Sequence, residues 1–190
     1  MRNFIILFFA VLFVGCQQKQ EKVIKSIEVL YYNYLSDRVI SVDCDEIVYN
    51  PPTNDTILIY SIEATDSIID YQVDYQGVLE AAISDRHILQ EIAKELQLAK
   101  RTKDYGIDAR MKCYIQFLNG EIDNICVNSS YTYGYYNGKP TKFTNKFAYL
   151  IRKNCGFYDW IGTDMMKYFY ELNDTTFVRE PVTNRWGESY

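Results

Sequence analysis

IDARMKCYIQFLNGEIDNICVN, residues 107–128, decides how this chain folds. Ile107 to Leu118 has the composition and patterning of a strand, and Ile122 to Asn128 is its return partner. Asn119-Gly120 between them is the strongest short hairpin signal, because both residue types tolerate the positive φ of a type I′ turn. A two-residue loop there sets Phe117 opposite Ile122, Ile115 opposite Asn124 and Cys113 opposite Cys126. It also turns Ile115, Phe117 and Ile122 toward the core.

The pattern continues outward on both sides. Downstream, Tyr131 to Tyr136, Asn137-Gly138 and Lys139 to Phe143 form a second hairpin, and Pro140 marks its last strand as an edge. Upstream, Ile88, Leu89, Ile92, Ala93, Leu96 and Ala99 recur at helical spacing behind a cap at Ser84 or Asp85, which predicts a helix over 84–100. Before it, 24–34, 39–49, 56–62 and 68–73 have strand character. After the second hairpin, Asn145 opens a helix carrying Phe147, Leu150 and Ile151. A last helix over 163–172 presents Met165, Tyr168, Phe169 and Leu172. The order is strands, helix, strands, helices. It predicts an α+β domain over 23–172, with an antiparallel sheet of several hairpin-connected strands and about three helices on one face. Residues 173–190 are polar and are expected to trail over the surface.

Composition narrows the function. The chain has 190 residues with a 48% apolar and 24% charged balance, so it is neither disordered nor too small for a core. A net charge of -5 argues against a nucleic-acid partner, and a single His excludes multi-histidine metal sites. No phosphate-binding or dinucleotide-binding glycine motif and no nucleophile elbow is present. The sequence assigns no catalytic residue, no metal site and no cofactor.

Residues 1–16, MRNFIILFFAVLFVGC, place Arg2 before an apolar run of eleven residues, Phe4 to Val14. That run is too short to span a bilayer as a helix and suits a secretory leader. The end of it, Leu12-Phe13-Val14-Gly15-Cys16, resembles the lipobox of bacterial lipoproteins, with Phe13 standing where Leu is usual. The resemblance implies a signal peptide over 1–15, cleavage before Cys16, and fatty acyl chains such as palmitate on Cys16. Residues 16–22 would then be a tether of at most about 23 Å. Two or three acyl chains hold stably to a membrane where one does not. Gln17 rather than Asp after the Cys favours an outer-membrane location by the same resemblance.

Four cysteines remain: Cys44, Cys113, Cys126 and Cys155. In an exported protein they point to disulfides. The hairpin register makes Cys113 and Cys126 the candidate pair, with two buried free thiols as the alternative. Cys44 and Cys155 are paired only by subtraction.

The other candidates carry less. Asp43-Cys44-Asp45-Glu46 is the densest acidic cluster, and a solvated strand-end turn is the simplest account of it. His87 belongs on the polar face of the 84–100 helix, and Asp108 and Arg110 make an ion pair. Asp55-Thr56-Ile57 and Asp66-Ser67-Ile68 resemble short acceptor sites of some bacterial O-glycosylation systems. The unusual feature is tyrosine. Of 18 in the chain, Tyr131, Tyr133, Tyr135 and Tyr136 fall within six residues, and the first three would share one strand face, able to stack a glycan or anchor a protein. The expectation is therefore an envelope-tethered, non-enzymatic binding module for a protein or glycan partner, immunity proteins that neutralise a toxin included. The alternative is an envelope hydrolase using an acidic pocket.

Overall fold

A computed structural model describes residues 22–32, 42–47, 58–64, 67–73 and 78–190. The leader, Cys16 and the acceptor-like motifs at 55–57 and 66–68 lie wholly or partly outside the described residues. Nine strands are described: β1 (Ile24–Tyr32), β2 (Leu58–Ala64), β3 (Ser67–Val73), β4 (Val78–Ile83), β5 (Lys100–Arg101), β6 (Ala109–Phe117), β7 (Ile122–Asn128), β8 (Tyr133–Tyr136) and β9 (Lys139–Lys142). The helices are α1 (Arg86–Leu98), α2 (Asn145–Asn154) and the single turns α3 (Thr163–Met166) and α4 (Tyr170–Asn173). Seven strands form one antiparallel sheet in the order β4-β1-β6-β7-β8-β9-β5, and β2 pairs with β3 in a separate hairpin. The architecture is α+β.

Period-two alternation along β6 sends Met111, Cys113, Ile115 and Phe117 into the main core, where Ile27, Val29 and Tyr31 of β1 join them. The helices cover this face. α1 brings Leu89 and Ile92, and α2 brings Phe147, Leu150 and Ile151. Each long helix starts at a side-chain cap, which satisfies backbone donors that the first turn leaves free. The Asp85 carboxylate accepts from His87 N and Ile88 N at 2.8 and 3.0 Å, and the Thr144 hydroxyl accepts from Phe147 N at 3.0 Å. The opposite face carries a smaller cluster: Leu30, Tyr32, Val42, Ile47, Val78, Ala109 and Cys126.

The hairpin register differs from the sequence expectation by one residue. Phe117 and Glu121 close the loop, with Phe117 N donating to Glu121 O at 3.0 Å and Gly120 N to Phe117 O at 3.0 Å. Only Gly120 is left-handed, at φ +85°, so the loop has three residues and a closing glycine instead of a type I′ pair. Cys126 therefore lies opposite Lys112, and Cys113 opposite Ile125. Because a one-residue slip reverses every side chain, Ile125 and Val127 face the core while Ile122 stands exposed. The two-residue register would have turned Asn124 and Asn128 inward instead.

Three further differences stand out. Pro140 lies on β9, but the two-residue strand β5 covers that edge. The 163–172 helix is broken, because Phe169 turns extended and packs inward. Residues 173–190 do not trail: Val182 and Asn184 are buried, Arg179 Nε donates to Leu172 O at 2.8 Å, and Asn184 Nδ2 donates to Ile161 O at 3.0 Å.

Candidate functional site

The face of the sheet away from the helices holds an open groove of about 640 Å³. Lys112 and Tyr114 of β6, Cys126 of β7 and Tyr135 of β8 form its floor, and Asp43 to Glu46 form one wall. The alternation that sends Cys113 and Ile115 to the core sends Lys112 and Tyr114 here. The shifted register brings Cys126 to the same side, where it makes a disulfide with Cys44 at a Cα separation of 5.9 Å. That bond pins the acidic segment to the sheet. Cys113 and Cys126, expected as the pair, lie on opposite faces, and Cys113 and Cys155 are buried free thiols. Burial pushes the Cys155 thiol up to about 12 and the Cys113 thiol well above its usual value, which makes both poor nucleophiles.

The acidic wall is a short 3₁₀ turn, Cys44–Glu46, and not a strand. Glu46 reaches back to accept from Asp43 N at 2.8 Å. Asp45 is fully solvated, with Lys112 Nζ 3.9 Å away. Lys112 Nζ also lies 5.5 Å from the centre of the Tyr114 ring.

The tyrosines divide. Tyr133 and Tyr135 are half-buried on the groove side of β8. The Tyr135 hydroxyl donates to Asp104 at 2.7 Å, and this bond pushes it up to about 12. The Tyr133 hydroxyl donates to Lys103 O at 3.1 Å and accepts from Tyr105 N at 2.7 Å. Both rings are thus held by the 103–105 loop. Gly134 between them is required: a Cβ there would sit 1.9 Å from Cys126 O. Tyr136 turns to the core side and donates to the buried Asp123 at 2.7 Å.

Tyr131 does not join the aromatic face. It precedes β8 with φ +60° and is buried. Its ring centre lies 4.0 Å from the Arg152 guanidinium, which Phe157 and Phe169 also flank at 4.9 and 4.7 Å. Arg152 pairs with Glu171 and donates to Ser129 O, and Tyr158 donates to Glu171 at 2.7 Å. Burial is the largest single influence and works against the Arg152 charge, but Glu171, Tyr131 and Tyr158 together outweigh it and the pKa is raised. Sequence reading missed this cluster, since its members are scattered over forty residues with no common motif.

His87 is exposed on α1, and Asp108 pairs with Arg110 at 2.5 Å. No group of three His, Cys, Asp or Glu among the described residues could hold a metal ion. No helix among them is long and apolar enough to cross a membrane. Comparison of the chain with protein-family models, curated proteins and solved structures finds no significant match.

Proposed function

We propose that this protein is an envelope-tethered binding module, and that the Tyr135 groove takes a cationic segment of a protein partner. The observation that carries the reading is convergence: Tyr114, Tyr135 and the acidic residues Asp43, Asp45 and Glu46, which outnumber Lys112, line one open groove. Tyr135, held by its hydrogen bond to Asp104, gives contact area at low entropy cost. Exposed carboxylates steer and pair with Lys or Arg, and the whole chain is acidic at -5. Asp45 is fully open to solvent on the groove wall, where it is placed to steer a charged partner, which favours binding over the hydrolase alternative.

A photo-crosslinking phenylalanine analogue at position 135 of the full chain, in its own cells, tests this. Protein adducts that fall with Asp43→Asn and Asp45→Asn, and with added salt, support the reading. Polysaccharide adducts, insensitive to salt, would replace it with glycan binding. Hydrolysis of an envelope polymer by the purified full chain, lost in Asp45→Asn, would favour the enzyme.

A further inference from the structure

We propose that the β6–β7 hairpin end of the sheet is the face that this protein lays against a lipid bilayer. The inference rests on the tether reading and adds an orientation to it. Leu118 N donates to Val23 O at 3.0 Å, so the hairpin loop and the point where the chain enters β1 are neighbours. Three aliphatic side chains stand exposed there: Val23 at 52%, Leu118 at 69% and Ile122 at 56%. Beside them Lys22, Ile24, Ala93, Leu96 and Phe117 line a shallow depression of about 160 Å³. Val23, Leu118 and Ile122 are therefore gathered at one end of the molecule.

A hairpin tip in water is ordinarily polar. This one exposes Leu118 and Ile122 instead. Three aliphatic side chains fall far short of the roughly 20–30 residues a side that a stable protein interface needs, so a second copy is a poor occupant. A bilayer asks less, because amphipathic surfaces insert a few apolar groups at the headgroup boundary. Chain connectivity supplies the position. Cys16 is six residues from Lys22, so if Cys16 is held in the membrane this end stays within about 23 Å of it. Lys22 is paired with Glu121, and its ammonium lies 4.9 Å from the centre of the Phe117 ring. Lys22 also lies 3.8 Å from Asp123, so the ammonium is held by carboxylates at the rim beside the aliphatic patch. The Tyr135 groove then opens sideways from the membrane: Lys112 is five residues up β6 from Phe117, about 17 Å at strand rise.

The test uses the full lipid-modified chain in vesicles, with a nitroxide at Leu118→Cys and, separately, at Tyr105→Cys toward the other end of β6. Flotation with the vesicles is measured first. In floated protein, the ratio of oxygen to water-soluble nickel-chelate collisions should be several-fold higher at 118 than at 105. Equal ratios at the two positions in floated protein overturn the orientation and leave the tether reading standing. Spin–spin broadening at 118 would assign the patch to a second copy. A label shielded from both reagents would assign it to another segment of the chain, and either result overturns the proposal. Protein that does not float fails the tether reading and takes this inference with it.

Discussion

Cys44 and Cys126, 82 residues apart in sequence, are joined across the groove face of the sheet. A closure of this length removes more denatured-state entropy than the short hairpin bridge between Cys113 and Cys126 would have done. The chain-entropy model allows up to about 4.5 kcal/mol, and disulfides typically deliver about 2–4. Cys44→Ala should lower unfolding stability by that amount in urea titration. It should also leave the 43–46 wall of the groove open to hydrogen exchange. Native protein should show no reaction of Cys113 or Cys155 with iodoacetamide until it is unfolded, since both thiols are buried with raised pKa values.

The buried Arg152–Glu171 pair predicts a different pattern. Both side chains are only 2% exposed, so removing one partner strands the other charge in a low-dielectric setting. Arg152→Met should cost about 3–5 kcal/mol, and the double change with Glu171→Leu should recover much of it. Tyr131→Phe is the control. The Tyr131 hydroxyl is buried without a hydrogen-bond partner, so its loss should be neutral or stabilising by about 1 kcal/mol. Urea midpoints of the four proteins decide the matter.

What the sequence made legible follows from the range of the forces involved. Period-two patterning and helix spacing are local, and they located β1, β2, β3, β6, β7, β8, β9, α1 and α2 to within a few residues. Val78–Ile83 was missed because its middle, Glu80-Ala81-Ala82, has neither β-branched residues nor clear alternation. The Asn119-Gly120 turn was located correctly, but its loop length was not. The signal that could have corrected it lies on β7, where Ile125 and Val127 make a better core row than one containing Asn124 and Asn128. The four parts of the groove were each noticed as residues: the acidic cluster, the tyrosines, Cys44 and Cys126. Their meeting depends on the register and on a disulfide between distant segments, which no local pattern carries. Tyr131 left the aromatic row because a single left-handed residue rotated it toward Arg152.

Glu91 provides a pH test. Its carboxylate accepts from Lys146 and Lys94, each at 2.6 Å, and these bonds hold it down to about 2 from an ordinary 4.5. A depressed carboxyl contributes stability above its unfolded pKa and loses that contribution as the pH falls through the folded value. The contribution should be complete above about pH 5 and should drain away between about pH 4.5 and pH 2. With both partners near the surface, solvent screening limits the Lys146 bond to about 0.5–1 kcal/mol. Lys146→Met should therefore lose that much at pH 7, and the gap to the unmodified protein should close as the pH approaches 2. It should also raise the Glu91 pKa in a carboxyl-carbon NMR titration.

The two Asn-Gly turns should respond differently to the same change, because they do not share a geometry. At Asn137-Gly138 both residues are left-handed, at φ +49° and +69°. The Asn137 side chain also accepts from Asn124 N at 2.7 Å and donates to the buried Asp123 at 2.8 Å. Asn137→Ala gives up asparagine's tolerance of the left-handed region, at up to about 1 kcal/mol, and removes the bonds to Asp123 and to Asn124 N, at about 1 kcal/mol each. The sum is about 2–3 kcal/mol. At Asn119-Gly120 only the glycine has positive φ, and Asn119 makes one exposed bond, accepting from Glu121 N at 3.0 Å. Asn119→Ala should cost no more than about 0.5 kcal/mol, as exposed surface changes usually do, whereas Gly120→Ala should cost about 1–2 kcal/mol at φ +85°. Equal losses from Asn119→Ala and Asn137→Ala in urea unfolding would mean that the first loop is a two-residue type I′ turn. The register that brings Cys126 to Cys44 would then be wrong.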